Sequence, residues 1–376
     1  MLISELQIIN FRNIAFLRAA FAPGLNLIHG PNAQGKTNVL EAISLLVTGR
    51  SFRTTMDREM IPWVRDTYEA TLVRARVEKR SGEERFMLTF NQSEKHVTIN
   101  GNPIGRLGEL VGRINAVLFT PSDLQIVRGG PAFRRRFLDV ELSQISRRYL
   151  FCLQRYDLAL RQRNALLKMH QSRPNLRQEL FPWDAQLTEH GAELIHARQR
   201  MVAQLSQLSA SAYNRISGGS EGMKITYQSQ TQPGDDDDIG TIRTKLEQAL
   251  AKTQAEDIRR GATSAGPHRD DFTFLLSGRD ARDYGSQGQQ RSCVLAMRLA
   301  ELKIMEDATG ECPLLLLDDL MSELDESRKR AFMECLDRRI QIFLTATERE
   351  LVVSHVKPDM IFHMDDGTLR EDLIAS

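Results

Sequence analysis

The sequence predicts an α/β protein: a mixed sheet with helices, a small antiparallel sheet and an inserted helical lobe. Three observations lead there. Near the N-terminus the strand-like segment Leu25–His29 runs into a glycine-bearing loop, and Val39, Leu40, Ile43, Leu46 and Val47 then recur at helical spacing. Near the C-terminus Leu314–Leu317 is an unbroken apolar run, as expected of a parallel strand buried on both faces, and Gln341–Thr345 looks like its neighbour. Between them, from about residue 133 to 215, apolar residues sit three or four apart, the mark of helices. The two α/β ends must therefore meet in space, with the helical segment inserted between them.

Taken in order, Leu2–Phe11 and Leu25–His29 are expected strands, with Pro23-Gly24 as the turn between. Gly49 should stop the first helix. Residues 70–100 alternate like a small antiparallel sheet, with turns at Ser81-Gly82 and Asn100-Gly101. Phe137, Leu138, Leu142, Ile145, Tyr149, Leu153, Tyr156 and Leu160 begin the helical lobe. A break containing Pro174 and Pro182 follows, and Leu187, Leu194, Ile195, Val202, Leu205, Leu208 and Ala212 resume the period, which suggests a long antiparallel pair. A Gly218-Gly219 turn, a strand at Met223–Gln228, the acidic run Asp235–Asp238 and a helix over Thr241–Arg260 come next. Asp271–Leu276 reads as a strand and Gln289–Met305 as a helix. The expected division is 1–120 and 261–376 as two parts of one α/β lobe, with 121–260 as the helical lobe.

A chain of 376 residues exceeds what one core usually holds, so more than one lobe is expected. Hydrophobic residues at 41% and charged residues at 26% fit a soluble globular protein. No apolar run approaches the ~20 residues needed to cross a bilayer. The start, MLISELQIINFRN, lacks the basic and apolar regions of a signal peptide, so no membrane and a cytoplasmic location are expected. Cys152, Cys293, Cys312 and Cys335 are scattered without metal-ligand spacing and read as reduced thiols. The net charge of +1 conceals an asymmetry: residues 128–177 carry twelve Arg or Lys against three acids. Such a block suggests a surface facing a polyanion.

The chemistry is carried by three motifs. Gly30-Pro31-Asn32-Ala33-Gln34-Gly35-Lys36-Thr37 fits the phosphate-loop pattern, which arises by accident in only about 1% of chains this long. Its glycines let backbone N–H groups curl round phosphate oxygens, and the following helix points its positive end at them. Lys36 would reach the β- and γ-phosphates of ATP, and Thr37 would bind Mg²⁺. Asp318 and Asp319 end the Leu314–Leu317 strand at a sheet edge, where ligands bind in open α/β sheets. Asp318 would hold Mg²⁺, and Asp319 is the candidate base orienting the attacking water. Ser286-Gln287-Gly288-Gln289 opens a helix and offers a second anion-binding spot.

The order of these elements resembles the ABC-type ATPase head. Asn10-Phe11-Arg12-Asn13 followed by GPNAQGKTNVLEAI is similar to the heads of structural-maintenance-of-chromosomes proteins. The segments FTPSDLQIVRGGPAFRRRFLD, TSAGPHRDD, SQGQQR, LLLLDDLMSELD and FLTAT together resemble the RecF family of bacterial recombination-repair proteins, over essentially the whole chain. The resemblance implies that Arg12 and Asn13 lie near the nucleotide. It makes Ser286–Gln289 the signature that meets the γ-phosphate of a partner subunit, Ser322–Asp325 the D-loop, and Pro121-Ser122-Asp123 the Q-loop region. Thr347 falls where transporter ATPases place a switch histidine, so hydrolysis should be weak. Ser122 and Phe52 depart from the Glu and His usual in the family.

Each chain holds one copy of each half-site, so ATP-dependent homodimerisation is expected. The resemblance further implies double-stranded DNA, single-strand/double-strand junctions, RecR, RecO and RecA as partners, and a weak, DNA-stimulated ATPase. Arg128, Arg134, Arg135, Arg136, Arg147 and Arg148 are candidate DNA contacts through phosphate neutralisation, or else solvated and internally paired helix-face arginines. His268-Arg269-Asp270-Asp271 is either a functional loop or an internal salt-bridge corner. A transporter ATPase subunit and a non-hydrolysing, ATP-sensing DNA scaffold are the competing readings.

Overall fold

The computed structural model describes residues 1–62, 70–169, 175–219 and 221–372. They fall into two compact units: Met1–Asp123 with Arg215–Gly218 and Arg298–Ser376, and Leu124–Asn214 with Gly219–Met297.

The first unit begins with Leu2–Phe11 (β1), which turns back into Ile14–Ala20 (β2) before Leu25–His29 (β3). The strand β2 was not expected from the sequence. Its buried residues Ile14 and Leu17 are three apart, which hides the strand period. Lys36–Thr48 (α1) follows, closed by Gly49 in the left-handed conformation, whose N–H bonds to Leu45 O as expected of a stop. Thr71–Lys79 (β4), Gly82–Phe90 (β5), Lys95–Ile99 (β6) and Asn102–Pro103 (β7) are antiparallel as anticipated, but their sheet is larger than expected because β1 and β2 join it, in the order β2-β1-β4-β5-β6-β7. Ala116–Phe119 (β8) leads out of the unit towards the helices.

The second unit contains Leu124–Arg128 (α2), Pro131–Ile145 (α3), Arg147–Met169 (α4) and most of the 42-residue helix Leu176–Ser217 (α5). Pro182 does not break the chain as expected but lies inside α5. A proline there forfeits a backbone bond, and the buried stripe Leu180, Leu187, Leu194, Ile195, Val202 and Leu205 carries the helix through it. Pro174 lies outside the described residues. Met223–Gln228 (β9), Ile239–Arg260 (α6), Asp271–Leu276 (β10) and Arg279–Asp280 (β11) follow, the strands forming the sheet β11-β10-β9. This pairing holds residues 261–297 with the helical segment, so the unit reaches well past the expected border at 260. Ala281–Tyr284 (α7) precedes Gln287–Thr309 (α8).

The chain then completes the first unit with Leu314–Leu317 (β12), Glu326–Cys335 (α9), Ile342–Ala346 (β13), Glu350–Val353 (α10), Met360–Asp365 (β14) and Thr368–Asp372 (β15). These join β3 and β8 in one sheet, β15-β14-β3-β13-β12-β8, parallel except at the β14-β15 hairpin. The two ends of the chain thus share a sheet, as the sequence required. Val39, Leu40 and Ile43 of α1 pack in one core with Leu6 and Val73 of the antiparallel sheet and Leu316 and Phe343 of the parallel one. Gln341 ties the layers polar-side: its Oε1 accepts from Ile3 N at 2.6 Å and its Nε2 donates to Ile3 O at 2.9 Å.

Candidate nucleotide site

The loop between β3 and α1 has a backbone that its residue types dictate. Gly30 has φ +147°, and a Cβ there would lie 2.2 Å from the Met364 carbonyl oxygen. Gly35 has φ +115°, and a Cβ would lie 2.8 Å from Asn13 Oδ1. Both positions therefore demand glycine. Three donors grip the loop from outside. Asn13 Nδ2 and Gly367 N each donate to Gln34 O at 3.0 Å, and Asp366 N donates to Gln34 Oε1 at 2.7 Å. The first turn of α1 carries no acid and no side-chain cap, so its positive end is left open to an anion.

That end faces a cleft of about 450 Å³ lined by Asn13, Lys36, Thr37, Arg53, Asp318 and Asp319 among others. Lys36 is buried, and its ammonium donates to Gly30 O at 2.6 Å and Pro31 O at 2.7 Å. Burial lowers its pKa, while the charges of Asp319 and Asp318 pull it back up. Thr37 Oγ1 donates to Asp318 Oδ1 at 2.8 Å, and Thr345 Oγ1 donates to the same oxygen at 2.9 Å. Thr345 Oγ1 also accepts from Asp319 N at 2.9 Å. Burial raises the pKa of both aspartates. Asp319 Oδ1 is buried without a partner, an orphan that a water or ligand would satisfy. Thr37 and Asp318 suit Mg²⁺, which takes one or two protein oxygens and completes its shell with water and phosphate. Among the described residues no cluster of three His, Cys, Asp or Glu offers an alternative all-protein metal site.

Arg12 and Asn13 both line the cleft. Arg12 is held there by Glu41, a fully buried carboxylate on α1: Nη2 donates to Oε1 at 2.7 Å and Nε to Oε2 at 3.0 Å. Its Nη1 donates to Glu59 O at 2.6 Å. Arg53 Nη1 donates to Asn38 Oδ1 at 2.8 Å and reaches Glu41 Oε2 at 3.4 Å, and the Ser51 hydroxyl also donates to Glu41. Glu41, Arg53 and Thr345 were missed by sequence reasoning. A charged Glu41 within the apolar run Val39–Val47 was the available signal.

The remaining segments have these settings. Ser122 Oγ shares a 2.7 Å hydrogen bond with Thr120 Oγ1, Thr347 follows β13, and Phe52 is half-buried. Asp325 caps α9 by accepting from Arg328 N at 3.0 Å. Ser286–Gln289 belongs to the second unit, where Ser286 N donates to Gln289 Oε1 at 2.7 Å and Gln289 N donates to Ser286 Oγ at 3.2 Å. That reciprocal pair is a capping box at the start of α8.

The six arginines separate by burial. Arg134 is 4% exposed and fully engaged: Nε and Nη2 bond Asp271 at 2.6 and 2.8 Å, and Nη1 donates to Gly129 O at 2.8 Å. It is an internal strut, which corrects the expectation of a surface contact. Arg135 is half-buried and donates to Asp270 O at 2.9 Å. Arg128 is exposed but bonded to Gln290 Oε1 at 2.5 Å, and Arg148 pairs with Glu193 at 2.5 Å on the surface. Arg136 and Arg147 are exposed. In the His268–Asp271 segment Arg269 is exposed, whereas His268 and Asp270 make internal hydrogen bonds. His268 Nε2 lies 3.1 Å from Thr263 O and so carries the proton, which leaves Nδ1 to accept from Tyr156 OH at 2.7 Å. Asp270 accepts from Tyr227 OH at 2.5 Å.

The chain matches the RecF/RecN/SMC N terminal domain over residues 2–370. It is 44% identical to the DNA replication and repair protein RecF of Symbiobacterium thermophilum, covering 98% of each chain. It is 38% identical to that of Lacticaseibacillus casei, over 98% of this chain and 99% of the relative. Among solved structures it is similar to the recombination mediator protein RecF-ATPrS in the RecFOR pathway, with TM-score 0.90, 35% identity and 99% and 98% of the two chains covered. A head of an Smc protein bound to the C-winged helix domain of ScpA shares the fold at 13% identity and TM-score 0.58. Among the described residues no helix is long and apolar enough to cross a membrane.

Proposed function

This chain belongs to the RecF/RecN/SMC N-terminal domain family and carries its ABC-type ATPase fold, and on that premise we propose that it is an ATP-dependent DNA-binding protein of recombinational repair. The observation that carries the reading is the cluster of Lys36, Thr37, Asp318 and Asp319 at the open end of α1. ATP enters with its phosphates on the loop amides. The Lys36 ammonium leaves the two loop carbonyls for the β- and γ-phosphates. Thr37 and Asp318 would hold Mg²⁺, whose contribution is to neutralise charge on the phosphate oxygens. Asp319, held at its N–H by Thr345, orients the water that attacks the γ-phosphate. Products are ADP and phosphate.

The loop and the Ser286–Gln289 segment are half-sites, and the second half comes from a second copy. ATP therefore joins two copies around duplex DNA, with a preference for single-strand/double-strand junctions, and slow hydrolysis releases them. Of the candidate arginines, Arg136 and Arg147 are best placed to meet phosphates, while Arg128, Arg135 and Arg148 each already hold one partner. RecR, RecO and RecA are proposed partners, in the cytoplasm. Measuring ATP turnover with and without gapped DNA tests the reading. DNA-stimulated turnover supports it. ATP-dependent DNA binding without any turnover would favour a non-hydrolysing scaffold instead.

A further inference from the structure

The capping box at Ser286 contains an ambiguity that a third residue removes. A carboxamide has a donor end and an acceptor end of nearly the same shape. Only the acceptor end of Gln289 can serve the Ser286 N–H, which lies 2.7 Å from Oε1. The donor end faces Glu221, whose two carboxylate oxygens lie 2.9 and 2.8 Å from Nε2. A carboxylate only accepts, so a flipped amide would set oxygen against oxygen there and N–H against N–H at Ser286. Glu221 is held in turn: Tyr213, fully buried near the end of α5, donates to its Oε2 at 3.2 Å.

We propose that Glu221 is a positioning residue for the Ser286–Gln289 segment, fixing the Gln289 amide so that α8 presents one defined set of donors to an incoming phosphate. Ser286 Oγ accepts from Gln289 N at 3.2 Å, so its own proton is free to point outward. Ser286 and Gln287 are exposed, and the first N–H groups of α8 have no earlier helical carbonyl to bond. With the amide locked, these donors are set before the phosphate arrives, and no reorientation is needed on binding. The link through Tyr213 also ties the segment to the end of the longest helix in the second unit. The consequence for assembly rests on the split-site reading above; the geometric role of Glu221 does not.

The test is Glu221→Ala, read by hydrogen exchange at the Ser286 amide and by sedimentation with ATP and Mg²⁺. Loss of a hydrogen bond to a charged group predicts exchange faster by about tenfold or more, and a dimer weaker by a similar factor. Thermal midpoint and ATP affinity of the phosphate loop serve as controls for the fold. The exchanged pair, Glu221→Gln with Gln289→Glu, keeps an acceptor toward Ser286 and a donor behind it, so it should restore protection. Gln289→Glu alone sets two carboxylates face to face and should not. Unchanged Ser286 exchange in Glu221→Ala overturns the proposal. Should that variant not fold, equal exchange in the exchanged pair and in Gln289→Glu overturns it. If the unaltered protein stays monomeric with ATP, the split site fails, and Ser286 exchange still decides the role of Glu221.

Discussion

Thr37 Oγ1 donates a 2.8 Å hydrogen bond to Asp318 Oδ1, joining the start of α1 to the end of β12 across 281 residues of chain. On the proposed reading this pair would be the seat for Mg²⁺. Thr37→Ala should weaken ATP binding in the presence of Mg²⁺ by about tenfold, the value of one lost hydrogen bond to a charged group. With the metal chelated, the two proteins should bind ATP alike. Calorimetric titration with and without EDTA reads both.

On the proposed reading Lys36 gives up its two carbonyl acceptors, Gly30 O and Pro31 O, for phosphate oxygens. Lys36→Met forfeits charge-assisted bonds worth about 1.5–3 kcal/mol each, so ATP affinity should fall by about 100-fold or more. The folded structure should persist, because methionine fills the same buried path. Fluorescent-nucleotide titration together with a melting curve measures the two effects separately.

Much of this site was legible before the structure. Gly30 and Gly35 announced the loop because no other residue tolerates their φ values, and Leu314–Leu317 announced its strand because burial on both faces erases alternation. Thr345 was invisible. A threonine inside a strand is ordinary, and its role depends on β13 lying beside β12. Glu41 and Arg12 are similarly remote in sequence, and only the shared core brings the carboxylate under the guanidinium.

The basic block misled in a specific way. Composition counts Arg134 and Arg163 with the rest, yet Arg163 is fully buried, bonding Asp184 at 2.6 Å and Asp257 at 2.8 Å. Charge in sequence does not say which arginines have acids waiting across the fold.

That distinction is testable. Arg136→Ala with Arg147→Ala should lower DNA affinity and reduce the salt slope by about one per arginine. Arg134→Ala should leave the slope intact and destabilise the fold by about 3 kcal/mol, because it strands Asp271. Binding measured at several salt concentrations, alongside urea unfolding, separates the two.

Burial pushes the His268 pKa down to about 4, and its Nδ1 accepts from Tyr156. The unfolded chain, with an ordinary histidine pKa near ~6.5, takes up the proton first. Stability from this group is therefore complete above that value and drains away as pH falls towards 4, by about 2–3 kcal/mol at pH ~4.5. In His268→Gln this part of the acid-side loss should disappear. Urea midpoints of both proteins across the range provide the comparison.

On the proposed reading ATP joins two copies through Gly30–Thr37 of one and Ser286–Gln289 of the other. Sedimentation of the purified chain with ATP and Mg²⁺, against the same sample without nucleotide, tests it most directly. The expected result is a monomer that becomes a dimer with ATP, and that stays monomeric when Ser286→Arg blocks the segment. A protein that remains monomeric with saturating ATP, or a Ser286→Arg variant that dimerises unimpaired, would contradict it.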